Sequence, residues 1–180
     1  MEGKRILRRD LAVLALACIC GTVAARAWAR PEQRDFLSPA EADKIREAKS
    51  PNDRVRLFVL FADDRMKKFQ YELSRKEASQ NRDVLLNGLL NGYTGCIDEA
   101  TDRLQEAETK GADMRTAVKE MQKLTKESLE TLRKVEASSG PDLDSFKDTL
   151  DDAIEATQDA LNEANKAAKE YGAVPIRRKP

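Results

Sequence analysis

Apolar residues recur at alternating intervals of three and four along most of the chain, and this spacing is what most restricts its fold. The runs cover residues 55–73, 86–107, 114–135 and 143–171, and the last changes from large side chains to alanine. Such intervals place side chains on one face of an α-helix. The sequence therefore predicts an all-α protein whose helices each carry one apolar stripe.

Start and stop signals divide these runs into segments. Ser38 and Ser50 are each followed by a proline and, three residues after the serine, by a carboxylate, which predicts two helix starts. Gly111 predicts a turn, and Ser-Ser-Gly-Pro at 138–141 predicts a break. The helices are expected over residues 39–49, 51–79, 82–110, 113–137 and 141–171.

The four longer segments have similar lengths, which predicts an up-down-up-down four-helix bundle with a short extra N-terminal helix. A competing observation is that the seven-residue repeat crosses Gly111 without a phase shift. The alternative is therefore a three-helix arrangement with one long central helix through Gly111. We favour the turn, with Gly111 ending one helix and Asp113 as the N-cap of the next.

The first 29 residues are typical of an export signal. A basic start precedes the uncharged run 11–25, and Ala27-Trp28-Ala29 supplies small residues at the two positions that a signal peptidase reads. An uncleaved anchor and lipidation at Cys18 are alternatives. The run is too short to span a membrane comfortably. We expect cleavage after Ala29 and export to the periplasm or the extracellular space, with no membrane insertion of the mature chain.

The remaining residues divide into three predicted parts. Residues 30–37 form a polar linker, 38–172 a helical bundle domain that Gly172 ends, and 173–180 a flexible basic tail. After cleavage the only cysteine left is Cys96, so no internal disulfide can form. Cys96 is either a reactive thiol or a small apolar filler in a helix. The filler is favoured, because nothing basic nearby in the sequence would lower its pKa.

Composition excludes several classes of protein. The chain has no histidine, so Ser-His-Asp and Cys-His catalysis and histidine-based metal sites are impossible. Lys and Arg together number 32 and Asp and Glu 32, so there is no surplus of positive charge for nucleic-acid binding. We expect no enzyme activity, no cofactor, and no catalytic, cofactor-binding or metal-binding residues.

Two features of the predicted helices indicate contact surfaces. The second helix carries an apolar patch on its far side, formed by Leu57, Leu60 and Phe61. Because such a patch requires a cover, the short first helix with Ile45 is its nearest candidate. A glycine row on the third helix predicts either a groove where another segment approaches closely or a frayed helix start. It consists of Gly88, Gly92 and Gly95.

The last helix carries a row of carboxylates at intervals of three and four. The row consists of Asp144, Asp148, Asp151, Asp152, Glu155 and Asp159. It is read as a solvated face, as a cation site, or as a partner for the preceding helix. That helix has its own basic row of Arg115, Lys119, Lys123, Lys126, Arg133 and Lys134. A straight helix presents carboxylates in a line, which favours the solvated face over a calcium site.

Four stretches of the chain resemble a group of uncharacterised bacterial exported helical proteins. They are residues 38–48, 51–58, 110–115 and 151–157. The similarity extends over roughly residues 36–170 and implies only export and helical structure, because no activity is attached to that group. The sequence thus predicts an exported, non-enzymatic helical bundle that acts by binding a protein partner or by self-association in the cell envelope. The alternative is a carboxylate-based divalent-cation-binding protein.

Overall fold

The computed structural model describes residues 36–75, 80–138 and 142–173, with side chains described as far as Tyr171. No β-strand occurs within these ranges, so the all-α prediction is confirmed. The helices are α1 (Pro39–Glu47), α2 (Pro51–Ser74), α3 (Arg82–Thr109), α4 (Arg115–Glu136) and α5 (Leu143–Ala173).

The four long helices pack as a bundle. Helix α2 packs most extensively on α3, and α4 on α5, while contacts of α3 with α5 and of α2 with α4 complete the arrangement. The short helix α1 packs on α2 and contributes no buried residue. The described residues therefore form a helical bundle with one additional N-terminal helix.

The core consists of the predicted apolar stripes. Every stripe residue of α3 from Leu86 to Ala107 is buried, as are Val55, Val59, Ala62, Met66 and Phe69 of α2. On α5 the alanines of the seam are buried as completely as the larger residues before them. Leu73 and Tyr171, at the ends of their stripes, are partly buried.

Helix α1 begins as its sequence predicts. The Ser38 hydroxyl accepts the Glu41 amide at 3.3 Å, and the Glu41 carboxylate accepts the Ser38 amide at 2.8 Å. This reciprocal pair is a capping box. At α2 the Ser50 hydroxyl accepts the Asp53 amide at 3.0 Å, but the Asp53 carboxylate binds the Ser50 hydroxyl rather than its amide.

The turn at Gly111 is confirmed, because α3 ends at Thr109 and α4 begins at Arg115. Gly111 has φ +67°, and its amide and that of Ala112 donate back to the last turn of α3. This is the usual geometry of a glycine that ends a helix. The long-helix alternative is therefore wrong for this protein.

The prediction that Asp113 is the N-cap of α4 is wrong by one residue. Met114 holds that position and makes no side-chain cap. Asp113 accepts the Arg115 amide at 3.2 Å and lies 3.4 Å from the Nε atom of the same arginine. The first turn of α4 is capped instead from another helix. The side-chain oxygen of Asn52, near the start of α2, accepts the Ala117 amide at 3.0 Å.

Several predicted boundaries differ from the observed ones. Helix α1 ends at Glu47 rather than 49, and α2 ends at Ser74 rather than 79, with Arg75 in an extended conformation. Helix α5 begins at Leu143 and continues through Gly172 to Ala173, so Gly172 does not end it. Phe36 and Leu37, assigned to a polar linker, pack against the core.

Helix α5 contains a kink that the sequence pattern does not reveal. Phe146 has φ −135° and ψ 17°, outside the helical range, and its ring packs edge-on against Phe69. Asn87 of α3 holds the backbone here, because its side-chain amide donates to the Ser145 carbonyl at 2.9 Å. Its side-chain oxygen accepts the Thr149 hydroxyl. Two helices thus fix the point where α5 changes direction.

The signal-peptide, basic-tail and most of the linker predictions lie outside the described residues. Among the helices that the structure describes, none combines the length and the apolar character needed to cross a membrane.

Candidate functional site

The guanidinium of Arg65 makes several hydrogen bonds at once and joins the N-terminal segment to the bundle. Its Nη1 and Nη2 atoms donate to the two carboxylate oxygens of Glu41 at 2.7 and 2.8 Å. They also donate to the carbonyl oxygens of Phe61 at 3.0 Å and Phe36 at 2.8 Å. Two parallel bonds to one carboxylate are among the stronger polar contacts in proteins. We call Arg65 with these acceptors the Arg65 latch.

The latch lies at the edge of the core. The side chains of Arg65 and Glu41 are only 11% and 16% exposed, and the guanidinium carbon lies 6.0 Å from the centre of the Phe61 ring. Both charges are therefore largely removed from water and depend on each other. Removing one partner of such a shielded ion pair destabilises a protein more than removing one partner of an exposed pair does.

Two members of the glycine row of α3, Gly92 and Gly95, lie beneath this segment. A Cβ on Gly95 would lie 2.7 Å from the Phe36 ring, and one on Gly92 would lie 3.3 Å from Nε of Arg65. A Cβ on Gly88 would meet nothing within 4 Å. The groove interpretation is confirmed at Gly92 and Gly95, where side chains of this chain fill it. The frayed start is wrong, because α3 is helical from Arg82.

Cys96 lies one turn beyond Gly92 and is completely buried. Burial raises the pKa of its thiol to about 12, and the positive charge of Arg65 offsets only part of that rise. The thiol is therefore protonated at neutral pH and is a poor nucleophile in this conformation. Its surroundings favour the apolar-filler interpretation.

The latch makes the stability of the protein depend on pH. Hydrogen bonding to Arg65 is the main cause that lowers the pKa of Glu41 from 4.5 to about 2. Stability from a lowered carboxylate pKa is complete above the unfolded value and is lost as the pH falls through the folded one. We expect Glu41→Gln to lower the free energy of unfolding by roughly 1.5–3 kcal/mol at pH 7, and by progressively less from pH 4.5 towards 2.

Urea denaturation of the wild type and Glu41→Gln at several pH values measures this difference. Glu120→Gln is the matched control, because Glu120 also pairs with an arginine, Arg56, at 3.0 Å. That pair is 40–43% exposed and should be worth no more than about 1 kcal/mol. If the difference in unfolding free energy between the wild type and Glu41→Gln stayed constant down to pH 2, the role of the latch would be contradicted.

The predicted patch of Leu57, Leu60 and Phe61 is mostly internal. Phe61 is buried and Leu57 is partly buried against the core, so only Leu60 remains on the surface, 56% exposed. Ile45 of α1 also packs against the core, which agrees with the prediction that α1 covers this side of α2. The patch as predicted is therefore not an open contact surface.

A different set of large apolar residues is exposed where α2 ends and α3 begins. Tyr71 is 67% exposed, Val84 66% and Leu85 42%. Arg82 joins the two helix ends here, because its guanidinium donates to the carbonyls of Glu72 and Leu73. We call Tyr71, Val84 and Leu85 the end patch. Three exposed apolar residues near the same helix ends are a candidate contact surface.

The acidic row of α5 is exposed to solvent along its whole length. Part of it borders an open groove of about 340 Å³ between α4 and α5. The groove is lined by Arg133, Glu136, Asp151, Ile154, Glu155, Gln158 and Asp159. In the part of the chain that the structure describes, no three carboxylates or thiols are grouped closely enough to hold a metal ion. The groove geometry therefore gives no support to the cation-site interpretation.

The alternative in which the basic row of α4 pairs with the acidic row of α5 is wrong for the described residues. Arg133 bonds to the neutral Gln158 at 2.9 Å, and the described residues contain no ion pair between the two rows. One member of each row, Lys134 and Asp151, pairs within its own helix instead. Lys134 binds Glu130 and Lys147 binds Asp151, each four residues apart. The solvated-face interpretation describes the row best.

Neither the Arg65 latch nor the end patch is predicted by the sequence patterns described above. A signal for the latch was present, since Leu57, Phe61 and Arg65 follow one another at intervals of four. A cation that extends an apolar row requires a buried acceptor. No sequence pattern distinguishes Val84 and Leu85 as a contact surface, because single exposed apolar residues are common on proteins.

Comparison of the chain with protein-family models, with curated proteins and with solved structures finds no match. The resemblance to exported helical proteins therefore stays an expectation.

Proposed function

We propose that this protein is exported to the cell envelope and acts there without catalysis, by binding a protein partner or by self-association. The end patch carries this proposal. Three large apolar side chains are exposed at one end of the bundle, whereas most residues of the apolar stripes in the described helices are buried. The export part of the proposal rests on the composition of residues 1–29.

The end patch supports binding because of its chemistry as well as its exposure. Tyrosine is enriched at protein interfaces, where its ring supplies contact area and its hydroxyl stays hydrated. Burying an exposed valine or leucine against a partner contributes roughly 1.5–3 kcal/mol when burial is complete. Three such residues could supply the central contacts of a modest interface.

Serine substitution of the end patch should abolish association. We expect the combined change Tyr71→Ser, Val84→Ser and Leu85→Ser to remove self-association in light scattering, or to remove a crosslinked partner from the exported fraction. Helix content should be unchanged, because exposed side chains contribute little to folding. Circular dichroism checks that the variant remains helical.

Leu60→Ser is the matched control, since Leu60 is similarly exposed but lies outside the end patch. It should leave association as it is in the wild type. If wild type and triple variant have the same mass and the same crosslinked partners, the end patch is not a binding surface.

Export gives a separate readout. The chain contains one tryptophan, Trp28, which lies before the expected cleavage site. The protein recovered from the periplasm or medium should therefore begin at Arg30 and show no tryptophan emission. Tryptophan emission from exported material would contradict cleavage after Ala29. Titration calorimetry of the same material with Ca²⁺, Mg²⁺ and Mn²⁺ tests the alternative of cation binding. If no heat of binding is measured with any of the three ions, that alternative is excluded.

A further inference from the structure

The segment formed by residues 36–47 is attached to the bundle at few points. None of the nine residues of α1 is buried, and α1 packs on α2. The attachment consists of the Phe36 ring on Gly95, the Glu41 carboxylate on Arg65, and partial burial of Leu37 and Ile45. A segment with few buried apolar contacts can open locally while the rest of a protein stays folded.

The surface under this segment is unlike an ordinary protein exterior. It includes Gly92 and Gly95, which admit Arg65 and Phe36. Beside them lie Phe61, whose ring is 6.0 Å from the Arg65 guanidinium, and Cys96, whose thiol is close enough to Arg65 and Glu41 for both charges to affect its pKa. Phe61 and Cys96 are 4% and 0% exposed. Removing the segment would leave an apolar groove between α2 and α3, with the Arg65 cation at its edge. The buried stripe residues of α2, α3, α4 and α5 include none from α1, and Ile45 packs against them only as a partly buried residue.

We propose that residues 36–47 form a releasable strap, held by the Arg65 latch, whose opening uncovers the α2–α3 groove while the four-helix bundle stays folded. In the closed state the strap occupies the groove and blocks it to any other segment. In the open state Arg65 loses the Glu41 carboxylate and the Phe36 carbonyl, and it keeps the Phe61 carbonyl of its own helix. This device is independent of the end patch.

Ala48, Lys49 and Ser50 give the strap a place to bend. They join α1 to α2, and two of them are extended, with Ala48 at φ −61°, ψ 125° and Ser50 at φ −133°, ψ 157°. Pro51 begins α2, and a proline at the first helical position keeps that start defined when the preceding chain moves. Opening therefore requires no change inside α2.

Cys96 reports the opening, because it is buried in the closed state and lies one turn from Gly92 in the groove. The experiment uses the full chain with Cys18→Ala and Cys20→Ala, so that Cys96 is its single thiol. A thiol reagent such as dithiobis(nitrobenzoate) is added under native conditions, and the labelling rate is followed at increasing urea below the unfolding transition. Labelling through local opening should depend only weakly on urea, whereas labelling through global unfolding depends on it steeply.

We expect Glu41→Gln to speed labelling about tenfold or more. Gln retains an oxygen that accepts the Ser38 amide, so the capping box can persist while the charge is lost. Glu120→Gln, which removes the charge from an arginine pair between α2 and α4, should leave the labelling rate at low urea unchanged.

A glycine pair provides a second, independent comparison. Gly95→Ala places a methyl group 2.7 Å from the Phe36 ring and should also speed labelling, because Phe36 must leave. Gly88→Ala meets open space and should not speed it. Circular dichroism should show that both variants remain folded.

The proposal is overturned if Glu41→Gln and Gly95→Ala label no faster than their controls. It is equally overturned if labelling of every variant follows the urea dependence of global unfolding, because Cys96 would then be exposed only when the whole bundle unfolds.

Discussion

Replacing Phe69 with alanine is expected to lower the free energy of unfolding by about 3–5 kcal/mol. The Phe69 side chain is completely buried, and its ring meets that of Phe146 edge-to-face, with centroids 5.8 Å apart and planes at 86°. Truncation removes the buried ring, leaves a cavity and ends this aromatic contact. The contact alone is worth roughly 0.5–1.5 kcal/mol beyond the buried area.

The position of Phe146 limits how far the structure can relax around the cavity left by Phe69→Ala. Phe146 lies at the kink of α5, where the backbone is already held by Asn87 of α3. Because the hydrogen bonds from Asn87 restrain the backbone here, the surrounding residues cannot easily move in to fill the cavity. The loss of unfolding free energy should therefore lie near the upper end of the range of about 3–5 kcal/mol. Guanidinium denaturation of the full chain, followed by circular dichroism, measures the effect.

Tyr71→Ala is the matched control, because it removes an aromatic ring two residues away on the same helix. Tyr71 is 67% exposed, so its substitution should change stability by no more than about 0.5 kcal/mol. Equal effects at Phe69 and Tyr71 would contradict the assignment of the buried face of α2.

The helices and their buried faces were predictable because they depend on neighbours in the sequence. Spacing of three and four identified the core side of α3 from Leu86 to Ala107 without error. Local signals also placed the capping box at Ser38 and the turn at Gly111. Each of these rests on residues no more than one or two helical turns apart.

The latch could not be derived in the same way, because its partners are far apart in the chain. Arg65 contacts Glu41 and Phe36 across 24 and 29 residues. Asn52 likewise caps α4 across 65 residues. Which side chains meet at such distances depends on how the helices are rotated and shifted against each other, and a repeat of apolar residues does not fix that to within one side chain.

The ion pairs considered between the charge rows of α4 and α5 do not form among the described residues, for a related physical reason. Exposed lysines and carboxylates gain little from any one partner, so they take the nearest one, which is usually three or four residues away on the same helix. Lys134 with Glu130 and Lys147 with Asp151 are examples. Opposite charge on two adjacent helices was therefore insufficient evidence for ion pairs between them.

The alanine seam of α5 leads to the second large expected effect, at Ala164. The seam residues Ala160, Ala164 and Ala167 are 0–1% exposed, so a side chain added there has no route to water. Ala164→Asp would bury a carboxylate among apolar neighbours, which raises a carboxyl pKa by up to about 3–5 units. At about 1.4 kcal/mol per unit, we expect a loss of about 4 kcal/mol or more at pH 7.

The sign of its pH dependence follows from the raised pKa. Between the unfolded and folded values the unfolded carboxyl is ionised and the folded one is protonated, so stability falls as the pH rises through that window. The deficit of Ala164→Asp relative to wild type should therefore shrink when denaturation is repeated near pH 4. A residual deficit should persist, because a protonated carboxyl still needs space and a hydrogen-bond partner.

Asn165→Asp is the matched control for this variant. It adds the same charge one residue later, on an exposed position whose side-chain oxygen already accepts the Gln122 amide at 2.8 Å. An aspartate there can keep this hydrogen bond in water, so its effect should stay within about 0.5 kcal/mol at either pH. Since a domain of this kind is stabilised by only about 5–15 kcal/mol, Ala164→Asp should lose much of its folded population on mild heating, while Asn165→Asp should melt with the wild type. If both variants melted together, the alanines of α5 would not be in the closely packed seam where the structure places them.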